Sequence, residues 1–243
     1  MIVGSILLAF AIDAWWDGRR DRAQESSYLQ MLASDLRGTL ANNSNFGGRA
    51  DSVDWAGARL VRAYYEPEVM SNDSIARLFL LARTAWVVQA RLGTAQALIT
   101  TGDLDLIRDD SLRLRVTGYL ADMTAFEGFE QQRSDDFLEA LEELSRHINP
   151  EALRLSTLPD AVRDSLAAAD ALFPFPGGAI RAEPQTAAEA PVRDADIHRI
   201  LVRMNQAKAG MRVQRTRMRV ASERFLQQLE AKVPELRRTN ATL

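Results

Sequence analysis

Residues 110–126 read Asp-Ser-Leu-Arg-Leu-Arg-Val-Thr-Gly-Tyr-Leu-Ala-Asp-Met-Thr-Ala-Phe. Leu112, Val116, Tyr119, Met123 and Phe126 are spaced four, three, four and three apart, which places them on one face of an α-helix. Asp109 and Asp110 supply a cap for its start. After polar Glu130 and Arg133 the stripe resumes at Phe137, Leu141, Leu144 and Ile148. Asn149-Pro150 then stops it, because the residue before a proline disfavours the helical region. One long helix follows.

The same period recurs outward in both directions. From Asp194 to about Lys232, Ile197, Leu201, Met204, Met211, Met218, Phe225 and Leu229 keep heptad spacing, with Lys208, Arg215 and Ser222 at intervening seam positions. A seam so regularly interrupted is too polar for a long dimeric zipper and predicts packing within the chain's own domain. Toward the N-terminus, Tyr28, Leu29, Leu32, Leu36 and Leu40 continue an apolar opening and predict a helix to about Ala41. Asn42, Asn43 and Gly47-Gly48 are expected to break it. A separate helix is predicted over Ser52–Tyr65, burying Trp55, Leu60, Val61 and Tyr64 and stopped by Pro67. Ser71, Asn72 and Asp73 offer caps for the next, which carries Ile75, Leu78, Phe79, Leu81 and Ala82. A short helix is predicted over Thr94–Thr100, ending at Gly102, and another from Pro159 to Leu172. Residues 173–191, rich in Pro, Gly and Ala, read as the one long loop. Trp86-Val87-Val88 is the best strand candidate and is too short to found a sheet. The expected class is all-α: a long N-terminal helix continuing into a bundle with two further long helices and several short ones.

Composition removes several functions. The chain has 243 residues, 30 Lys+Arg against 33 Asp+Glu, no cysteine and two histidines. Disulfides, thiolate metal sites and cysteine nucleophiles are therefore excluded, as is a three-histidine site within one chain. The near balance of charge argues against a nucleic-acid binder. No phosphate-cradling glycine loop, no Gly-x-Ser-x-Gly elbow and no His-Glu-x-x-His motif occurs.

The first twelve residues carry no charge, and Asp13, Trp15, Trp16, Arg19, Arg20 and Arg22 follow. Twelve helical residues reach about 18 Å, short of the roughly 30 Å of bilayer hydrocarbon. Paired tryptophans beside arginines nevertheless mark the place where an apolar segment leaves a membrane. Residues 1–16 are expected to form a membrane anchor, with 17–243 as a single helical domain; an upstream half of the same helix is the simplest repair of the length deficit, and a buried soluble helix is the alternative reading. Trp15, Trp16, Arg19 and Arg20 are the candidate interface residues. By the positive-inside rule Arg19, Arg20 and Arg22 place the domain on the cytoplasmic side, whereas a basic leader upstream would reverse that.

Two segments carry a resemblance. Ser5–Arg20, with Asp13-Ala14-Trp15, is followed by Tyr28-Leu29, Leu32 and Ser34-Asp35-Leu36. The second is Ala97–Asp109, centred on Thr101-Gly102-Asp103-Leu104 and leading to Leu112-Arg113. Together they resemble an uncharacterised bacterial family of small single-pass membrane proteins with helical domains. Thr101 stands where that family more often has serine, and Tyr119-Leu120 where paired aromatics are usual. The resemblance implies a single-pass protein of the bacterial inner membrane and supplies no activity.

Candidate chemistry is sparse. Glu143/His147 and Asp194/His198 have the i, i+4 spacing of a carboxylate-oriented imidazole or a shared metal, and equally that of surface pairs. The second Glu-x-x-His set a two-metal bundle needs is missing. Asp103 and Asp105 are a carboxylate pair after Gly102; the favoured reading is a structural turn at Gly102 and Asp103. Lys208, Arg212, Arg215 and Arg219, spaced four, three and four, form a basic stripe on one helical face. It reads as a surface for anionic lipid or nucleic acid, or as a match for the acidic helix with Glu127, Glu130, Asp135, Asp136, Glu139, Glu142 and Glu143. Without interleaved aromatics, base stacking is unsupported and the intramolecular match is favoured. No catalytic, cofactor-binding or metal residues are assigned. The expected function is a membrane-anchored interaction, scaffold or accessory protein with a lipid bilayer and an unidentified protein as partners. The alternatives are a helical ligand-sensing domain with a cavity near Gly102 and, behind it, a helical enzyme with a carboxylate site.

Overall fold

The structure is a computed structural model and describes residues 2–66, 70, 72–148 and 193–238. Its regular elements are helices, with no strand among the described residues: α1 Ile2–Ala63, α2 Asn72–Ala82, α3 Gly93–Thr100, a single 3-10 turn Asp103–Leu106, α4 Asp110–His147, α5 Ala195–Lys232 and α6 Glu235–Arg238. The class is all-α, with three long helices and several short ones. The helix expected over Pro159–Leu172 and the loop 173–191 lie outside the described residues, as do Pro67, Ser71 and Pro150.

Two compact units are present, Met1–Ser44 with Val88–Glu127 and Arg215–Leu243, and Asn45–Val87 with Gly128–Gln214. The first unit buries Leu29, Leu32 and Leu36 of α1, Leu98 of α3, Leu112, Val116, Tyr119 and Met123 of α4, and Met218, Phe225 and Leu229 of α5. The Tyr119 and Phe225 rings meet at 5.3 Å. In the second unit Ala56 and Leu60 pack with Ile75, Leu78 and Phe79 of α2, Phe137 and Leu144 of α4, and Ile197, Leu201 and Met204 of α5. Helix α2 has 11 residues, below the length at which an isolated helix persists in water, so its docking holds it. Fully buried Phe79 stabilises that docking by about 2–3 kcal/mol.

The predicted break after Ala41 is not there. Helix α1 runs through Asn42–Gly48 to Ala63, and the separate Ser52–Tyr65 helix is its continuation. Two glycines cost a helix interior about 1 kcal/mol each. The apolar stripes on both sides of them outweigh that cost, with Leu32, Leu36 and buried Thr39 before and Ala50, Val53, Ala56 and Leu60 after. Asn43 keeps to the helix because its amide has a buried task, donating from Nδ2 to the Arg215 carbonyl at 2.9 Å. Trp55, expected in the core, is 60% exposed. The buried stripe runs through 53, 56 and 60, and position 55 falls off it. Leu81 is exposed as well, and Trp86-Val87-Val88 lies in a non-helical connection rather than a strand.

Neither Gly47 nor Gly48 has any atom within 4 Å of where a Cβ would stand, and neither has a positive φ. The double substitution Gly47→Ala/Gly48→Ala is expected to stabilise the chain by about 1–2 kcal/mol in a thermal or urea melt. A lower melting point would show that the helix breaks at this pair after all.

Candidate functional site

The sequence singled out the start of α1, and the structure leaves that section open. Every residue from Phe10 to Asp17 is exposed. Phe10 is 67%, Trp15 58% and Trp16 59% accessible. The two indoles meet edge to face at 5.2 Å, and the Arg19 guanidinium lies 5.7 Å from the Trp15 ring centre. Arg20 is exposed beside them. No described helix is long and apolar enough to cross a membrane.

Further along α1, four side chains capture the segment that leads through α3 into α4. Helix α3 begins after Leu92, whose side chain offers no acceptor. Asp35 takes that place from α1, its Oδ2 accepting from the Thr94 N–H at 2.9 Å. Thr39 Oγ1 accepts from the Arg91 N–H at 2.8 Å and donates to the Asp35 carbonyl at 3.0 Å. Glu25 accepts from the Arg108 N–H at 2.8 Å. Tyr28 donates its hydroxyl to Asp103 Oδ2 at 2.5 Å, and Thr101 Oγ1 donates to the same oxygen at 2.8 Å. Those bonds hold the Asp103 carboxyl below its usual range, and the carboxylate in turn raises the Tyr28 phenol. Gly102 supplies the bend, with φ 78° and ψ 10°. The two segments that carry the family resemblance are therefore hydrogen-bonded to each other. Asp105 is exposed and takes no part, so Asp103 and Asp105 form a turn with one engaged carboxylate.

The basic stripe is divided. Arg212 and Arg219 are exposed, while Lys208 and Arg215 are buried. Lys208 Nζ donates to the Ala82 carbonyl at the end of α2, at 2.5 Å, and sits 5.2 Å from the Phe137 ring centre. Burial pushes its ammonium down to about 8, partly opposed by Asp54. Arg212 faces Asp54 at 3.7 Å, and Arg219 pairs within α5 with Glu223 at 2.8 Å. The acidic helix does meet α5, through Arg203 to Glu143 at 2.5 Å and Glu139 at 3.5 Å, residues outside the stripe. Glu130, one of the acids of that helix, is buried.

The carboxylate–histidine pairs are not pairs. Glu143 is engaged by Arg203, and His147 is exposed at the end of α4. Asp194 caps α5, its Oδ1 accepting from the N–H groups of Asp196 and Ile197 at 2.8 and 3.1 Å. His198 stacks on Tyr64 at 4.1 Å. No group of three metal-binding residues exists among the described residues. A groove of about 400 Å³ lies by Leu112, Leu114, Arg115, Ala231 and Lys232. Lys232 is tied there to Asp109, whose carboxyl it holds well below the usual range. Sequence reading missed Asp35, Thr39 and the Tyr64–His198 contact. The visible signal was polar residues set inside an apolar stripe. No family model, no curated protein and no solved structure matches the chain.

Two substitutions probe these assignments. A Cβ at Gly102 would meet nothing within 4 Å, so Gly102→Ala carries the left-handed penalty alone, about 1 kcal/mol in a melt. For Lys208 the folded value of about 8 lies below the ordinary 10.5 of a lysine. Between those values the unfolded chain binds more protons, so stability contributed by this site rises with pH from 8 to 10.5. The stability of the wild type relative to Lys208→Met is expected to climb over that window by on the order of 3 kcal/mol. A flat difference would mean that the amine is not desolvated.

Proposed function

We propose that this chain is a helical interaction protein, a scaffold or accessory subunit, held at a bilayer by the N-terminal section of α1. The observation that carries the reading is the exposed run Phe10, Ile12, Trp15 and Trp16 with Arg19 laid against an indole. It continues the uncharged sequence of residues 1–12. Burying a large apolar side chain stabilises by about 1.5–3 kcal/mol, so a few such residues suffice to hold a helix at the headgroup level, where indoles and arginines are favoured. In a bacterial cell the membrane is the inner one, and Arg19, Arg20 and Arg22 favour retention of the domain on the cytoplasmic side. Of the carboxylate pair that the enzymatic alternative rests on, Asp103 is used as a tie to Tyr28, as Asp109 is to Lys232 and Glu143 to Arg203. That use supports a binding role over catalysis.

Membranes from cells expressing the full chain are expected to retain it through a high-salt wash, and Trp15→Ser/Trp16→Ser to weaken that retention several-fold. Wild-type protein recovered in the soluble fraction overturns the proposal. Strong activity from a C-terminal alkaline phosphatase fusion overturns the cytoplasmic side alone.

A further inference from the structure

Ring chemistry at the end of α1 has no part in membrane contact. Tyr64 and Tyr65 form the turn that follows Ala63, and His198 lies in the first turns of α5. The imidazole stacks on Tyr64 with centroids 4.1 Å apart and planes 22° apart. Tyr65 stands perpendicular to it at 5.0 Å, and its hydroxyl lies 3.1 Å from Nε2. Nδ1 is buried and has no hydrogen-bond partner. If Nε2 accepts from Tyr65, Nδ1 carries a proton with no acceptor; if Nε2 donates, Nδ1 presents a bare lone pair. The imidazolium form places N–H on both nitrogens, and its Nδ1–H has no carbonyl, carboxylate or hydroxyl to meet.

Charged groups on the surrounding elements do not supply that partner. On α5, Asp194 accepts from backbone N–H groups and Arg199 pairs with Asp196 at 3.3 Å. Beyond the end of α1, Glu66 pairs with Arg59 at 3.3 Å, while Arg62 is exposed. Near the end of α4, Glu143 and Arg146 are committed to Arg203 and Glu142, and His147 is exposed. Arg77 of α2 has an interaction of its own. The ring contacts of His198 among the described residues are the two tyrosines. Stacking on Tyr64 favours a cation, while desolvation opposes it and lowers the histidine below its ordinary value.

We propose that His198 with Tyr64 and Tyr65 forms a proton-operated latch that ties the C-terminal end of α1 to the first turns of α5, closed while the imidazole is neutral and loosened by protonation. Desolvation holds the folded imidazole below the ordinary 6.5 of a histidine, so the unfolded or opened state binds more protons as pH falls through that region, and acid weakens the closed state.

Hydrogen exchange of the full chain at pH 7 and pH 5, corrected for intrinsic rates, reads the latch directly. Protection in residues 58–65 and 195–202 is expected to fall together at pH 5, while residues 29–36 keep theirs. His198→Phe keeps a ring against Tyr64 and takes up no proton, so its protection is expected to be the same at both pH values. Equal wild-type protection at the two pH values, or the same acid loss in H198F, overturns the latch. Should H198F not fold, the NMR titration of His198 in the wild type decides. A midpoint below 6.5 supports the latch, and one at or above 6.5 overturns it.

Discussion

A helix can turn a polar side chain toward a core only if that side chain finds a partner there, and the two units depend on this constraint. Thr39, Asn43, Lys208 and Ser222 occupy core-facing positions and are buried. Each donates to a backbone carbonyl: Asp35 for Thr39, Arg215 for Asn43, Ala82 for Lys208 and Met218 for Ser222. Ser222 then has its oxygen free to accept from the Tyr119 hydroxyl at 2.9 Å. An unpaired group at any of these places would cost about 1–3 kcal/mol. For Asn43 and Lys208 the pairing also makes an interruption of the apolar stripe a point of registry, because each donor meets its carbonyl at only one axial position of a neighbouring helix, whereas Thr39 and Ser222 satisfy themselves within their own helices.

The helices were legible where the apolar period was strong. The stripes of α4 and α5 run with the spacing of 112–116–119–123 and of 197–204–211–218–225, and every one of those residues is buried. Local chemistry misled where tertiary packing overrode it. Gly47-Gly48 reads as a stop, yet buried stripes on either side carry the helix across. The basic stripe was legible as spacing and illegible as environment. Four cations at helical intervals say nothing about which of them face a core, and the heptad seam through Lys208 and Arg215 turned out to be the stronger clue. Side-chain capping across a distance in sequence, as by Asp35, shows locally only as a polar residue beside an apolar stripe, with nothing to name the N–H it accepts from.

An exposed apolar section and internal bonding divide α1 between them. Its first turns bear exposed Phe10, Trp15 and Trp16. From Glu25 onward the same helix offers side-chain acceptors to the backbone of a distant segment. A continuous helix is a stiff element, so a force or displacement applied to the exposed first turns of α1 acts on the helix that also fixes the Gly102 corner. The exposed turns and the Gly102 corner are thereby mechanically one piece.

Helix α3 shows what such borrowing means for the order of folding. It has eight residues, and the acceptor that caps its start stands 59 positions earlier in the chain. A helix so short does not nucleate alone. It forms once the intervening chain has closed its loop and brought Leu92 and Thr94 beside α1. Made from the N-terminus, the chain has Asp35 in place before Thr94 exists. The early helix thus acts as a template, and the corner around Gly102 is assembled on it rather than alongside it.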